Sequence, residues 1–344
     1  MSSIFPAYAQ VHPSFMEPDI LLQYNQVSGF VELLAGRKPR VKIDTEDQYI
    51  YIKGLRMRSS VETGQATGNN LPQASIAPYQ ISIPTYFIRC RTEYDFHDQA
   101  ASARWGVPLT PALRLAGRQA IFQQMRNLCL YGRLPSNGEG ILNTIGAVAV
   151  ALPPDTNGND TISSYDNGQM SVFLLSIVAN MKTTAFQMGA PSRVCVLGPQ
   201  RVLQQWAYFG IVQLTQFQRA GAGSTTTAGV VKDILLSNGD MIDFAYDDTL
   251  KGKGGNGTNA DIDAIIFTIP EIVKPTTPGI NTNAFAQVEP GLDATVLQYM
   301  DMAAPVEITM PLAGGATDTL FEIKASPGWG IRPELVTILS AAYQ

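Results

Sequence analysis

Two stretches of this chain have residue types suited to holding an ion or a phosphate, and neither has the context that chemistry requires. Gly252, Gly254 and Gly257 satisfy G-x-G-x-x-G. A dinucleotide fingerprint needs a strand before its glycines and a helix after them, so that backbone amides and the helix terminus meet the pyrophosphate. Here Asp247, Asp248 and Thr249 precede the motif, while Thr258, Asn259 and Ala260 lead from it toward a strand, so a surface loop is expected. Asp240, Asp243, Asp247 and Asp248 offer carboxylates to a cation but lack the Asp/Asn–Gly ladder of a calcium loop; they read as a solvated acidic hairpin. Histidine occurs only at 12 and 97, and cysteine only at 90, 129 and 195. Those five side chains have no zinc-site spacing. No serine sits in a nucleophile elbow and no cysteine has a base near it in sequence. The reading is therefore no enzyme, with no catalytic, cofactor or metal residues.

The side chains that remain are arginines. Residues 41–61 contain a strand signal, YIYIKGLRMRSSV, and residues 79–94 contain a second, YQISIPTYFIRCRTEY. Both alternate at close to period two and are rich in β-branched and aromatic residues. Between them lie about seventeen residues of Gly, Asn, Thr and Pro with one charge, which suggests a projecting hairpin with a flexible tip, the alternative being two ordinary strands inside a larger sheet. Arg56, Arg58, Arg89 and Arg91 fall at similar distances from that tip, so the paired strands are expected to carry a basic patch. A lone hairpin of that length is marginal in water and wants a surface to lie on.

These residues have to be positioned by elements legible elsewhere in the chain. Thr110–Tyr131 reads as one long helix, capped by Thr110, with Pro111 in the first turn and Gly132 as a left-handed stop. Leu113, Gly117, Ile121, Met125 and Leu128 make its apolar stripe. Residues 1–30 read as an extended arm with aromatic anchors, broken by Pro6, Pro13 and Pro18. After the helix the sequence predicts a short buried strand near Ala147–Leu152, a helix over 169–189, a strand at Val194–Leu197 and a helix from about Pro199. A low-complexity loop follows at 221–229, then a hairpin turning at Asn238–Gly239, a mobile loop at 250–261, a buried strand at 263–271 and several C-terminal strands. Helices and strands mix without βαβ alternation, so the class is α+β.

Composition fits a subunit as well as it fits a β-rich domain with polar loops. Of the 344 residues, 45% are hydrophobic and only 15% charged, and the many Gly, Pro, Thr, Asn and Gln suggest surface that ends up against other copies. The net charge of −5 hides a gradient, from +4 over residues 1–133 (14 basic, 10 acidic) to −9 over 134–344 (10 basic, 19 acidic). Opposite-sign halves can pair head to tail between copies or can both simply face solvent, and the acidic balance argues against a dedicated nucleic-acid binder. The odd, scattered cysteines read as buried thiols from a reducing compartment. No run approaches a membrane span and residues 1–20 lack a signal-peptide signature, so the expected setting is a cytoplasm, without membrane.

The segment AASARWGVPLTPALRLAGRQAIFQQMRNLCLYG, followed by GEGILNTIGAVAVALP, resembles the major capsid proteins of tailed bacteriophages. That Hong Kong 97-like fold is shared with encapsulin shells. In the family a short helix, a G-[IV]-P-L turn, a spine helix ending in Tyr-Gly and a G-[IL]-L-N segment occur in this order. They correspond here to Gln99–Trp105, Gly106–Leu109, Thr110–Tyr131 with Gly132, and Gly140–Asn143. The ending GWGIRPELVTILS is similar to the family's closing strand.

The resemblance implies an N-terminal arm (1–40), an extended loop (41–93), a peripheral domain (94–145 and 296–344) with spine helix 110–131, and an axial domain (146–295). It implies self-assembly into hexamers and pentamers of an icosahedral head enclosing double-stranded DNA, in a virion assembled in the bacterial cytoplasm. The implied partners are other copies, a portal, scaffolding, cement or decoration proteins, and DNA contacted weakly and non-specifically. No cofactor is implied. On this reading Arg56, Arg58, Arg89 and Arg91 meet acidic surface on an adjacent copy, and residues 1–30 overlie another. The alternatives are an encapsulin-like nanocompartment and a phage tail or decoration component.

Overall fold

The computed structural model describes residues 40–58, 75–104, 106, 108–184, 192–213, 227–237, 239–255, 261–271, 295–301, 304–312 and 314–344. The expected N-terminal arm, the hairpin tip at 59–74, most of the loop at 221–229 and the third glycine of G-x-G-x-x-G lie outside these residues.

The long helix is present as Leu109–Tyr131, about 35 Å at the standard rise. It follows a shorter helix at Phe96–Arg104; these are α2 and α1. The predicted stripe faces inward: Gly117, Ile121, Met125 and Leu128 are buried, with Leu113 half-buried. The start differs by one residue, because Pro108 occupies the cap and its carbonyl accepts from Ala112; Thr110 lies inside the helix and does not cap it. Gly132 ends the helix as expected, at φ 66°, its N–H donating to Leu128 O.

The helix packs on a six-stranded sheet. Its strands are β1 (Arg40–Lys42), β4 (Tyr86–Tyr94), β9 (Val296–Met300), β10 (Val306–Pro311), β11 (Thr317–Ala325) and β12 (Trp329–Gly330). β11 lies antiparallel between β10 and β4, with Phe321 opposite Cys90 and Ile323 opposite Ile88. Ile88, Phe321 and Ile323 meet Ile121, Met125 and Leu128 of the helix in one buried cluster.

The hairpin is present but built differently from the expectation. β2 (Tyr49–Arg58) pairs with β3 (Ser75–Pro84), from Tyr49 opposite Pro84 to Arg58 opposite Ser75. The second strand signal splits at Pro84–Thr85, and its later half becomes β4 in the larger sheet. Proline has no N–H for the ladder, and the Thr85 hydroxyl instead ties the two legs by donating to Asp47 O at 2.6 Å. Arg89 and Arg91 therefore lie in a different sheet from Arg56 and Arg58, and the paired strands do not carry all four.

A second, five-stranded sheet runs β5–β13–β8–β6–β7. These are Val148–Ala151, Val336–Ala342, Ile262–Thr268, Arg193–Gly198 and Met241–Tyr246. Helices α3 (Asn167–Thr184), α4 (Gln200–Gln213) and α5 (Thr227–Ser237) belong with it. Leu174, Val178, Trp206, Val231 and Leu235 share a core with Val194, Val196 and Phe267. Two expectations are corrected here. Residues 227–237 form a helix and not the first arm of a hairpin, with Val231 and Leu235 buried one turn apart. β7 pairs parallel to β6 instead. β5 is a strand where expected, but it is an edge and mostly exposed, not buried.

Candidate functional site

The sequence segments that carry the family resemblance come together at the end of the long helix. Glu139, 1% exposed, is the polar centre of that joint. Its Oε1 accepts from Tyr86 Oη at 2.9 Å, and its Oε2 accepts from the N–H groups of Arg133 and Leu134 at 3.1 and 2.9 Å. Burial, then the bond to Glu139, pushes the Tyr86 hydroxyl up to about 12. The Arg133 guanidinium covers the Tyr86 ring, 5.2 Å from its centroid. Asn143 donates to the carbonyls of Tyr131 and Glu139, both at 2.9 Å, satisfying the helix's last carbonyl. Gly140 turns at φ +86°, where a Cβ would lie 2.4 Å from Tyr131 C, and donates to Gly328 O. Gly328, from the closing GWG, leaves room for Cys129 O, which a Cβ would approach to 2.2 Å. The Tyr-Gly, G-I-L-N and G-W-G segments are thus three sides of one close backbone contact.

A second fastening joins the helix to the five-stranded sheet. Tyr131 Oη donates to Thr249 Oγ1 at 2.8 Å, and Thr249 Oγ1 donates to Asp247 Oδ1 at 2.7 Å. Burial raises the Tyr131 hydroxyl to about 12 and raises the Asp247 carboxyl, whose Oδ2 has no hydrogen-bond partner.

The four arginines divide. Arg56 and Arg58 sit on β2, across from Ala77 and Ser75, and their side chains lie outside the described residues. Arg89 and Arg91 sit on the face of β4 away from the helix. Arg89 Nε meets Glu322 at 2.5 Å, and Arg91 meets Asp318 at 2.8 Å and Glu93 at 3.3 Å. The arginine side chains are 59% and 55% exposed, so both pairs present outward. Among the hairpin's described side chains Tyr49, Tyr51, Ile76 and Tyr79 are exposed, and Tyr49 and Tyr51 stack at 6.5 Å. Its base is held by Ile50, Ile52, Ile81 and Ile83 against Ile43, Leu297 and Tyr299.

The carboxylate run is not a solvated hairpin. Asp240, 3% exposed, takes Lys182 Nζ at 2.8 Å together with the Ser192 N–H; Asp243 takes Arg193 at 2.6 Å; Asp248 accepts from Gln200 N. In the glycine motif the Gly252 N–H donates to the buried Asp263, which also holds Arg201 through both oxygens. Those amides serve the fold. Cys129 and Cys195 are buried, Cys90 half-buried, and none of the three is in a disulfide; burial pushes Cys195 up to about 12. His97 is exposed against Phe96, and His12 lies outside the described residues. Among the described residues no three His, Cys, Asp or Glu side chains gather as a metal site, and no helix is long and apolar enough to cross a membrane. Glu139 escaped the sequence reading, although it is the single charge in the otherwise uncharged stretch 134–154.

No family model matches the sequence, and no curated protein matches it. Solved structures do match, over nearly the whole chain. A chain from the capsid of Myoviridae phage XM1 superposes with a TM-score of 0.67 at 10% identity, covering 95% of this chain and 96% of that one. The capsid structure of cyanophage P-SCSP1u gives 0.57 at 10% identity, with 96% and 93% covered. The mature capsid of bacteriophage PhiM1 gives 0.53 at 11% identity, with 96% and 91% covered. With identity so low, what is shared is the fold, and that fold is the α+β, Hong Kong 97-like fold of phage capsid chains.

Proposed function

We propose that this chain is the major capsid protein of a tailed phage, a structural subunit without enzymatic activity that assembles into rings of six and five. The observation that carries the reading is correspondence over nearly the whole of both chains with capsid subunits. The hairpin supports it, because among the described residues its two strands pair only with each other, and Tyr49, Tyr51, Ile76 and Tyr79 are left exposed where another surface could cover them. Copies of the chain supply that surface. Residues 1–40 act as an arm, 41–93 as the extended loop, 94–145 with 296–344 as the peripheral domain around spine helix 110–131, and 146–295 as the axial domain, with β13 (Val336–Ala342) crossing over to pair among its strands. Arg56 and Arg58 grip acidic surface on a neighbour, and the outward Arg89 and Arg91 pairs contribute at the same shell contact. The completed head encloses double-stranded DNA that it touches weakly, carries a portal, and is built in the host cytoplasm with scaffolding, cement or decoration proteins as partners.

The test is expression of the chain alone, or with its neighbouring phage genes, followed by electron microscopy. Closed shells with nuclease-protected DNA in particles from infected cells are expected; shells that package a protein and no DNA would point to an encapsulin-like compartment. A chain that stays monomeric under all these conditions refutes the proposal. Arg56→Glu with Arg58→Glu should leave the monomer folded and impair assembly, and normal particles from it would remove the hairpin's basic residues from the contact.

A further inference from the structure

Among the described residues nothing pairs with the outer side of β5 or of β7, the two end strands of the five-stranded sheet, and both carry exposed apolar side chains. At the β5 edge Val148 is 39% exposed, and beside it are Ile145 at 73% and Leu134 at 47%. Ile145 lies over Gly138, where a Cβ would come within 2.7 Å of its Cγ1, so the 134–138 turn and Ile145 form one surface. At the β7 edge Met241 is 60% exposed, with Leu236 at 57% before the turn that enters the strand. Isolated exposed apolar residues are ordinary on a monomer. Open sheet edges, however, are usually blunted by charge, proline or a bulge. β5 has none of these: residues 140–152 contain neither a charge nor a proline.

The two edges are the first and last of five strands, about 19 Å apart at the usual strand spacing. They differ in residues and in shape. A twofold contact pairs a surface with itself and would leave one of them open. Head-to-tail contact covers both, and repeated with a fixed rotation it closes a ring. Apolar contact is non-directional, so it survives the change of angle between rings of five and six better than a lattice of ion pairs would.

We infer that the Leu134–Ile145–Val148 surface of one copy packs against the Leu236–Met241 surface of the next, and that this is the contact running around each ring. The inference rests on the capsid reading and names the two faces through which neighbouring copies meet. Ile145→Cys and Met241→Cys, singly and together in a Cys90→Ser background, are assembled and treated with a short bifunctional maleimide. The double variant should give a covalent ladder ending at five and six chains on a denaturing gel, and each single variant should stay at one. Dimers from either single variant, or particles of the double variant that give no ladder, overturn the contact while leaving the capsid reading intact. Ile145→Asp and Met241→Asp should each fold with an unchanged thermal midpoint and fail to form rings, and mixing them should give dimers, since each retains one good face. Normal assembly of both Asp variants also overturns it. Wild-type chain that never forms particles overturns the capsid reading, and this contact with it.

Discussion

Gly328→Ala tests whether the joint at the end of the long helix is held by backbone contact. The new Cβ would sit 2.2 Å from Cys129 O and 2.7 Å from its Sγ. Ordinary carbon–oxygen contact begins at about 3.3 Å, so the helix end and the closing segment must separate by roughly 1 Å. Neither can yield by rotating a side chain, since the nearer atom is a main-chain carbonyl in the last turn of the helix. The Gly140 N–H bond to Gly328 O at 3.1 Å would be pulled along with it. Overpacking costs about 1–3 kcal/mol, and a backbone obstacle puts this case at about 3 kcal/mol. The same change at Gly168 is the control. It lies in α3 with nothing closer than Asp166 Oδ2 at 3.8 Å, so Ala there should stabilise by about 0.5–1 kcal/mol through the unfolded chain's lost freedom. Urea unfolding of unassembled chain would read both. Two identical chemical changes with opposite signs are expected; Gly328→Ala within about 0.5 kcal/mol of wild type would show that the joint is looser than its geometry.

Three further outcomes follow from buried polar groups. Lys182→Met leaves the buried Asp240 carboxylate facing only Ser192, and should cost about 3–5 kcal/mol in the same unfolding assay. Glu139→Ala should cost about 2–4 kcal/mol by removing the acceptor for Tyr86 Oη and two backbone N–H groups, whereas Glu139→Gln, which can still accept from both amides while donating to Tyr86, should cost about 1 kcal/mol or less. Burial raises the folded pKa of Asp247 above its unfolded value, so its contribution to stability is complete below about pH 3.9 and lost as pH rises through the folded pKa. Asp247→Asn, which still accepts from Thr249, should therefore be more stable than wild type at pH 7, with the gap closing as pH falls toward 4; an equal gap at both values would remove burial as the cause.

The parts of the fold legible in the sequence are those fixed by local spacing. The α2 stripe needs only the helical period, and Gly132 stops the helix by a conformation that other residues rarely adopt. The strand at 193–198 and the helix after it are likewise local. What depends on the rest of the chain was not legible. Alternation through 79–94 is continuous, and nothing in period two says that its halves belong to different sheets; the break at Pro84–Thr85 is visible only once β11 has claimed β4. In 227–237 the apolar residues fit a turn of helix as well as a buried strand, and Asn238–Gly239 resembles a hairpin turn. The choice was made by β7 pairing parallel to β6, which a hairpin could not do. At β5 the apolar run is real but its burial is not, because composition does not distinguish a strand covered by its own chain from one that waits for another.

That last ambiguity bears on how such a chain works. The interior leaves little freedom: Glu139 satisfies three donors from two parts of the chain, and Gly140 and Gly328 bring main chain against main chain without an adjustable side chain between. The outside is left incomplete, with tyrosines along the hairpin and apolar side chains at both edges of the second sheet. On the capsid reading proposed above, a subunit placed in rings of two sizes has to keep one shape while its contacts change angle, since otherwise each ring would need its own fold. Rigid backbone joints inside and non-directional apolar surface outside divide those two tasks between different residues. Loosening the joint should therefore disturb the accuracy of assembly before it prevents contact, whereas charging an edge should prevent contact and leave the subunit's shape untouched.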